Sequence, residues 1–224
     1  MNTKLIIAGI IGLAISTTVS VKAAEELQSF VSKPGTCKVR IEGTSSVHDW
    51  RMESPLIGGS LQVGAGFPTE PGQEAKPGKI EAKGMAFTTA TSLKSLKEDG
   101  KPYSDSMNKV AYEHLNSDKN PHIRYILEEL VLKEAPKSKD GAYVCDSKGK
   151  LAVAGKTNSV SMPVNITPLG NKTVRIQGNT TLKMTDYGIT PPSPSGLGLL
   201  IKTGDDVKLI FDWTVYQKAA PAAK

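Results

Sequence analysis

Two runs near the carboxyl end restrict this chain more than any other feature. From Thr173 the sequence reads T-V-R-I-Q-G-N-T-T-L-K-M-T, with Val174, Ile176, Leu182 and Met184 on one parity and Arg175, Gln177, Asn179, Thr181 and Lys183 on the other. From Asp206 it reads D-V-K-L-I-F-D-W-T-V-Y, where Val207, Leu209, Phe211, Trp213 and Val215 alternate with Asp206, Lys208, Asp212, Thr214 and Tyr216. A period of two over this length means a strand with one dry and one wet face. Antiparallel sheets give that pattern, whereas strands of a helix-covered parallel sheet are apolar on both faces. The stretch between the runs, Y-G-I-T-P-P-S-P-S-G-L-G-L-L-I-K-T-G-D, is too rich in proline and glycine to continue either strand. Two long strands joined in this way predict a sheet that closes on itself, with a loop at one end.

The same period recurs upstream. Cys37, Val39 and Ile41 alternate with Lys38, Arg40 and Glu42. A second strand carries Trp50 and Met52 and resumes through Ile57, Leu61 and Val63 after Pro55 and Gly58-Gly59. In 79–90 the parity passes from Ile80 and Ala82 to Met85 and Phe87, which predicts a bulge beside Gly84. Further strands carry Ile123, Tyr125 and Leu127, then Leu130 and Leu132 after a parity change; Tyr143, Cys145, Leu151 and Val153, with a bend at 146–149; and Val160, Met162, Val164 and Ile166. The count from Cys37 is eight meandering strands. One helix interrupts them after the third, capped by Ser104 or Asp105, with Met107, Val110, Ala111, Tyr112 and Leu115 approximating one face. Residues 65–78 hold three prolines and three glycines with no apolar period, and read as an exposed loop.

Met1 to Ala23 has a basic start at Lys4, a short apolar run from Leu5, and small residues at Val21 and Ala23, the form of a cleaved secretory signal. The run is shorter than the ~20 residues a spanning helix needs. Residues 1–23 are therefore expected to be removed and the remainder to be periplasmic or secreted, with no integral membrane segment after cleavage. The expected domain covers 36–217, and 218–224 form a tail with nothing to bury. In an oxidising compartment Cys37 and Cys145 are a candidate disulfide, with two separate buried thiols as the alternative.

Loss of Lys4 and Lys22 takes the formal charge from +6 to +4. The cations are spread over outward parities rather than gathered in a stripe, which argues against nucleic acid as a partner. Histidines stand only at 48, 114 and 122, without metalloprotease or other metal-site spacing, and no G-x-S-x-G is present. His48-Asp49 in a turn reads more readily as a hydrogen-bonded structural device than as a catalytic pair. No cofactor is indicated.

Four blocks together resemble the YceI-like family of exported lipid-binding proteins. They are G-T-S-S-V-H-D-W; M-N-K-V-A-Y-E-H-L-N-S-D-K-N-P-H-I-R-Y; K-L-A-V-A-G-K-T-N-S-V-S-M-P-V; and L-K-M-T-D-Y-G-I-T-P-P followed by I-K-T-G-D-D-V-K-L-I-F. Their order holds over roughly 36–216. The resemblance implies an all-β, eight-stranded antiparallel lipocalin-like barrel whose apolar interior holds a long isoprenoid or other long-chain lipid without catalysis. The proline-rich 65–78 loop and the cysteines fall outside the family pattern.

Inward parity then names a lining of Val39, Ile41, Trp50, Phe87, Leu127, Val153, Val164, Ile176, Leu182, Phe211 and Trp213, because charges at Lys38, Arg40, Glu42, Arg175, Lys183 and Lys208 on the other parity could not be buried unpaired. Gly43, Ala82, Ala86, Gly155 and Gly178 are expected to leave room inside. His48 and Asp186 are the candidates to orient a head group at the opening. An envelope module with a packed barrel and no ligand is the alternative, and oligomeric state, a homodimer included, stays open.

Overall fold

The computed structural model describes residues 27–193, 195–196 and 199–217. The expected signal segment 1–23 and tail 218–224 lie outside them. The strands in chain order are β1 (Gln28–Ser32), β2 (Lys38–Ser45), β3 (Trp50–Ser54), β4 (Gly58–Val63), β5 (Gly78–Ile80), β6 (Ala82–Thr89), β7 (Lys94–Ser95), β8 (His122–Glu134), β9 (Tyr143–Val153), β10 (Lys156–Gly170), β11 (Thr173–Lys183), β12 (Ser195–Gly196), β13 (Leu199–Leu200) and β14 (Thr203–Gln217). The helix α1 spans Asp105–His114.

These segments make an eight-stranded closed antiparallel barrel, in the order β1-β4-β6-β8-β9-β10-β11-β14 and back to β1. Three of the eight positions are broken strands. β14 pairs through Leu209↔Ile41 and Phe211↔Val39 with β2, and through Phe30↔Gln217 with β1, so β1 and β2 follow one line along it. β4 and β3 form the next line, interrupted at Pro55, and β6 and β7 the third. Closure removes the free edges of the main ladder except where β10 and β11 part toward one end. The sheet takes in Gln28–Ser32, upstream of the expected start at 36.

The far end of the barrel is packed solid. Phe30, Val63, Phe67, Ile80, Leu132, Tyr143, Cys145, Val174 and Val215 are buried there. Phe67 belongs to the 65–78 segment, a loop that is largely exposed as expected but that inserts the buried Phe67 and Pro68 as a plug. Gln73 fixes it, accepting from the Thr69 amide at 2.9 Å and donating to the Phe67 carbonyl at 3.1 Å, while the Tyr143 hydroxyl donates to the Gln73 carbonyl. A single aromatic anchor carries no periodicity, so the composition of the segment concealed it.

Two further expectations fail for one shared reason. β6 pairs with β4 in unbroken register from Val63↔Ala82 to Gly58↔Phe87, with no bulge beside Gly84. Ala82, Gly84, Ala86 and Thr88 keep the inward parity throughout. β9 likewise runs without a bend through 146–149, pointing Asp146 and Lys148 outward and Ser147 and Gly149 inward. Small inward residues look like breaks in a pattern that counts only large apolar ones. The parity change in β8 is real, a register shift between Leu127 and Glu129.

β10 and β11 pair only from Gly170↔Thr173 to Val164↔Gly178 and then part. No partner residues join 156–163 to 179–183. The short 3-10 turn Thr185–Tyr187 contacts both strands there, and the Asn158 amide donates to the Asp186 carbonyl at 3.0 Å.

Candidate functional site

The open end of the barrel leads into an apolar chamber of about 570 Å³. Its wall is made by Ile41, Trp50 and Met52 from β2 and β3, Ile123 from β8, Leu151 and Val153 from β9, Leu182 from β11, and Val207 and Leu209 from β14. The roof is α1, which turns Met107, Val110, Ala111, His114 and Leu115 toward the chamber, together with Tyr187, Ile189, Pro192 and Ile201 from the segment after β11. α1 is held in place by polar contacts that its sequence provides. Ser104 caps it by accepting from the Met107 amide, the buried Asn108 side chain accepts from the Ser95 amide at 2.7 Å, and the Tyr112 hydroxyl donates to the Leu93 carbonyl at 2.8 Å.

Beneath lies a smaller chamber of about 120 Å³, bounded by Ile57, Leu61, Phe67, Leu127, Leu130, Val164, Ile166, Ile176 and Trp213 among others. Val39, Ile123, Leu151 and Leu209 face both chambers and form the waist between them. The polar groups of the inner chamber satisfy one another: the Tyr125 and Ser147 hydroxyls are 2.6 Å apart, and the Thr88 hydroxyl donates to Ser54 at 3.1 Å. Burial, with Glu128 as a small addition, holds the Tyr125 phenol above its ordinary pKa, so it stays neutral. The Trp213 indole donates to Ser32 Oγ at 2.7 Å at the bottom.

The expected lining divides between the two chambers. Ile41, Trp50, Val153 and Leu182 border the outer one; Leu127, Val164, Ile176, Phe211 and Trp213 the inner; Val39 borders both. Phe87 is the exception. It borders the inner chamber from within the wall, but strand alternation places its ring on the outer face, over Gly58 and edge-on to His122 with ring centroids 5.2 Å apart. Inward glycines, moreover, do not simply leave room. Trp50 covers Gly43, and Phe211 covers Gly178, where a Cβ would lie 2.8 Å from the ring. The aromatics lie along the wall, which leaves the axis of the lumen open.

At the mouth stand Ser45, His48, Tyr103, Ser106, His114 and Thr203. His48 Nδ1 lies 2.7 Å from the Asp49 carbonyl oxygen, which can only accept, so this nitrogen carries the proton. Its Nε2 lies 3.1 Å from the Tyr103 hydroxyl. The Asp49 contact is through its backbone, not its carboxylate, and both ring nitrogens are occupied. Asp186 is exposed and does not line the chamber; its carbonyl serves the contact to Asn158. Cys37 and Cys145 are both free and buried, so the candidate bridge is not formed and the alternative of two separate buried thiols holds. The Cys37 thiol contacts the Lys33 and Thr214 carbonyls at 3.4 and 3.6 Å.

Inward parity found the barrel wall but missed the roof. Tyr103, Ile189, Pro192 and Ile201 sit in loops, where no period marks a lumen face. The apolar face of α1 was legible, yet nothing local says against which surface a helix lies.

A closed antiparallel barrel, plugged at one end, roofed by one short helix and hollow along its apolar axis, defines a lipocalin-like protein. The family model described as a YceI-like domain matches residues 55–215, and the chain belongs to that family. Among solved structures, BcnA of Burkholderia cenocepacia is similar at 16% identity and a TM-score of 0.56, over 82% of this chain and 98% of that one. A polyisoprenoid-binding domain from Saccharophagus degradans, implicated in plant cell wall breakdown, is similar at 10% identity and a TM-score of 0.57, over 85% of this chain and 99% of that one. No curated protein matches the chain.

Proposed function

We propose that this chain binds one long apolar ligand, a polyisoprenoid or related lipid, in the barrel lumen without catalysis, and that it does so in the cell envelope after export, for carriage, storage or sensing. The observation that carries the reading is the polarity gradient of the lumen. Hydroxyls and imidazoles stand at the mouth, the outer chamber is largely apolar, and the few polar groups of the inner chamber are already paired. An amphiphile fits this only tail first. Burial of its chain stabilises the complex by about 0.8 kcal/mol per methylene, against roughly 4–15 kcal/mol for lost overall freedom, so the chain must be long. The Saccharophagus degradans domain binds polyisoprenoid on the same fold, which supports the ligand class. The structural placement of His48, with its Asp49 contact made through the backbone, favours binding over acid–base chemistry.

Delipidated protein is titrated with the C20 alcohol geranylgeraniol while tryptophan emission is followed. Trp50 borders the outer chamber, so a saturable blue shift is expected. The double variant Val153→Phe, Leu182→Phe narrows that chamber and should abolish the shift while circular dichroism remains unchanged. No saturable change in the delipidated wild type would return the barrel to a structural module.

A further inference from the structure

The two chambers and their waist imply a limit on chain length, an inference that rests on the binding reading above. A dry apolar cavity of about 150 Å³ accepts benzene, which gives about 25 Å³ per carbon. On that scale the outer chamber of about 570 Å³ takes roughly 23 carbons, enough for four isoprene units but not five, and the inner chamber of about 120 Å³ takes roughly five more, one isoprene unit. Val39, Ile123, Leu151 and Leu209 line both chambers and so stand at the passage between them. Below the inner chamber there is no continuation: Phe30 and Phe67 pack with ring centroids 6.4 Å apart, and Trp213 is tied to Ser32.

We propose that this arrangement gauges chain length in two stages. A prenyl chain of four isoprene units is held by the outer chamber alone; the terminal unit of a five-unit chain passes Leu151 and Leu209 to reach the inner chamber; units beyond that remain at the mouth. The tryptophans mark the two depths, Trp50 beside the outer chamber and Trp213 beside the inner. Leu151 and Leu209 are thus the residues that set the length preference, and the ligand class is an amphiphile with about 20 to 25 chain carbons protected.

The test uses the full exported chain, delipidated, as Trp50→Phe and Trp213→Phe variants that each retain one reporter. Farnesol (C15), geranylgeraniol (C20) and the C25 and C30 homologues are titrated. The remaining Trp50 should respond to every chain, and the remaining Trp213 only from C25. Affinity should rise at least tenfold per isoprene unit up to C25 and less than twofold beyond it, since burial favours each methylene only while there is space for it. Leu151→Ala, or Leu209→Ala if the first misfolds, should bring the onset at Trp213 down to C20, and Leu151→Phe should remove it while leaving the Trp50 response. A Trp213 response to C15 in the wild-type waist, or the same onset with alanine and phenylalanine at 151, overturns the gauge while leaving binding intact. Silence of both tryptophans toward every chain overturns the binding reading and the gauge together.

Discussion

Four glycines of the barrel wall lie beneath aromatic rings on neighbouring strands. Gly43 with Trp50, Gly58 with Phe87 and Gly178 with Phe211 are directly in register, and Tyr125 reaches Gly149 diagonally. Such pairs let a bulky ring lie flat against the sheet. At Gly178 an added Cβ would also lie 2.9 Å from the Pro163 carbonyl oxygen, which is backbone and has little freedom to move. Gly178→Ala should therefore cost about 1–3 kcal/mol, the usual range for overpacking, read from denaturant unfolding; an unchanged midpoint would show that the ring and β10 yield freely. Cys145 makes a second residue-scale case. Burial, with Asp146 adding to it, pushes its thiol from the ordinary 9.0 up to about 12. The unfolded chain therefore loses this proton first as pH rises. Stability from the neutral thiol is complete below about 9 and is lost between about 9 and 12, by at most about 4 kcal/mol. Native Cys145 should resist thiol reagents at pH 8, and Cys145→Ala should flatten this alkaline loss; rapid labelling of the native thiol would contradict the burial.

Among the elements, the strands were legible and the pieces between them less so. Val174, Ile176, Phe211 and Trp213 announce their face because a strand with one wet side must alternate. Gly84, Ala86, Ser147 and Gly149 face inward without announcing it, and at Gly84 and Gly149 the small size is required by Leu61 and Tyr125 arriving from neighbouring strands. That explains the missing bulge, the missing bend and the misplaced Phe87. Phe67 and Ile201 line or plug the lumen from loops, where only tertiary packing selects the face. The parting of β10 from β11 is of the same kind, because nothing in either strand reports where its neighbour stops pairing. It has a measurable consequence. Exchange protection depends on a partner for each amide, so the β11-facing amides of 156–163 should exchange faster than those of the paired stretch 164–170. Equal protection across both stretches would mean that the strands zip together in solution.

At the scale of the molecule, every feature serves a hollow axis. The outer face carries the charges, some of them in cross-strand pairs such as Lys38 with Glu53 at 3.1 Å and Lys183 with Asp206 at 2.8 Å. Exposed pairs of this sort contribute little to stability; their presence outside is what leaves the interior apolar. The plug at Phe67 closes one end and α1 roofs the other, so a chain inside is shielded from water along most of its length. The most direct measurement is mass spectrometry of an organic extract from natively purified protein. About one long-chain prenyl or acyl lipid per protein chain is expected, and little or none from the Val153→Phe, Leu182→Phe variant purified in parallel. Wild-type protein that yields no lipid and takes up none when it is offered would contradict the account.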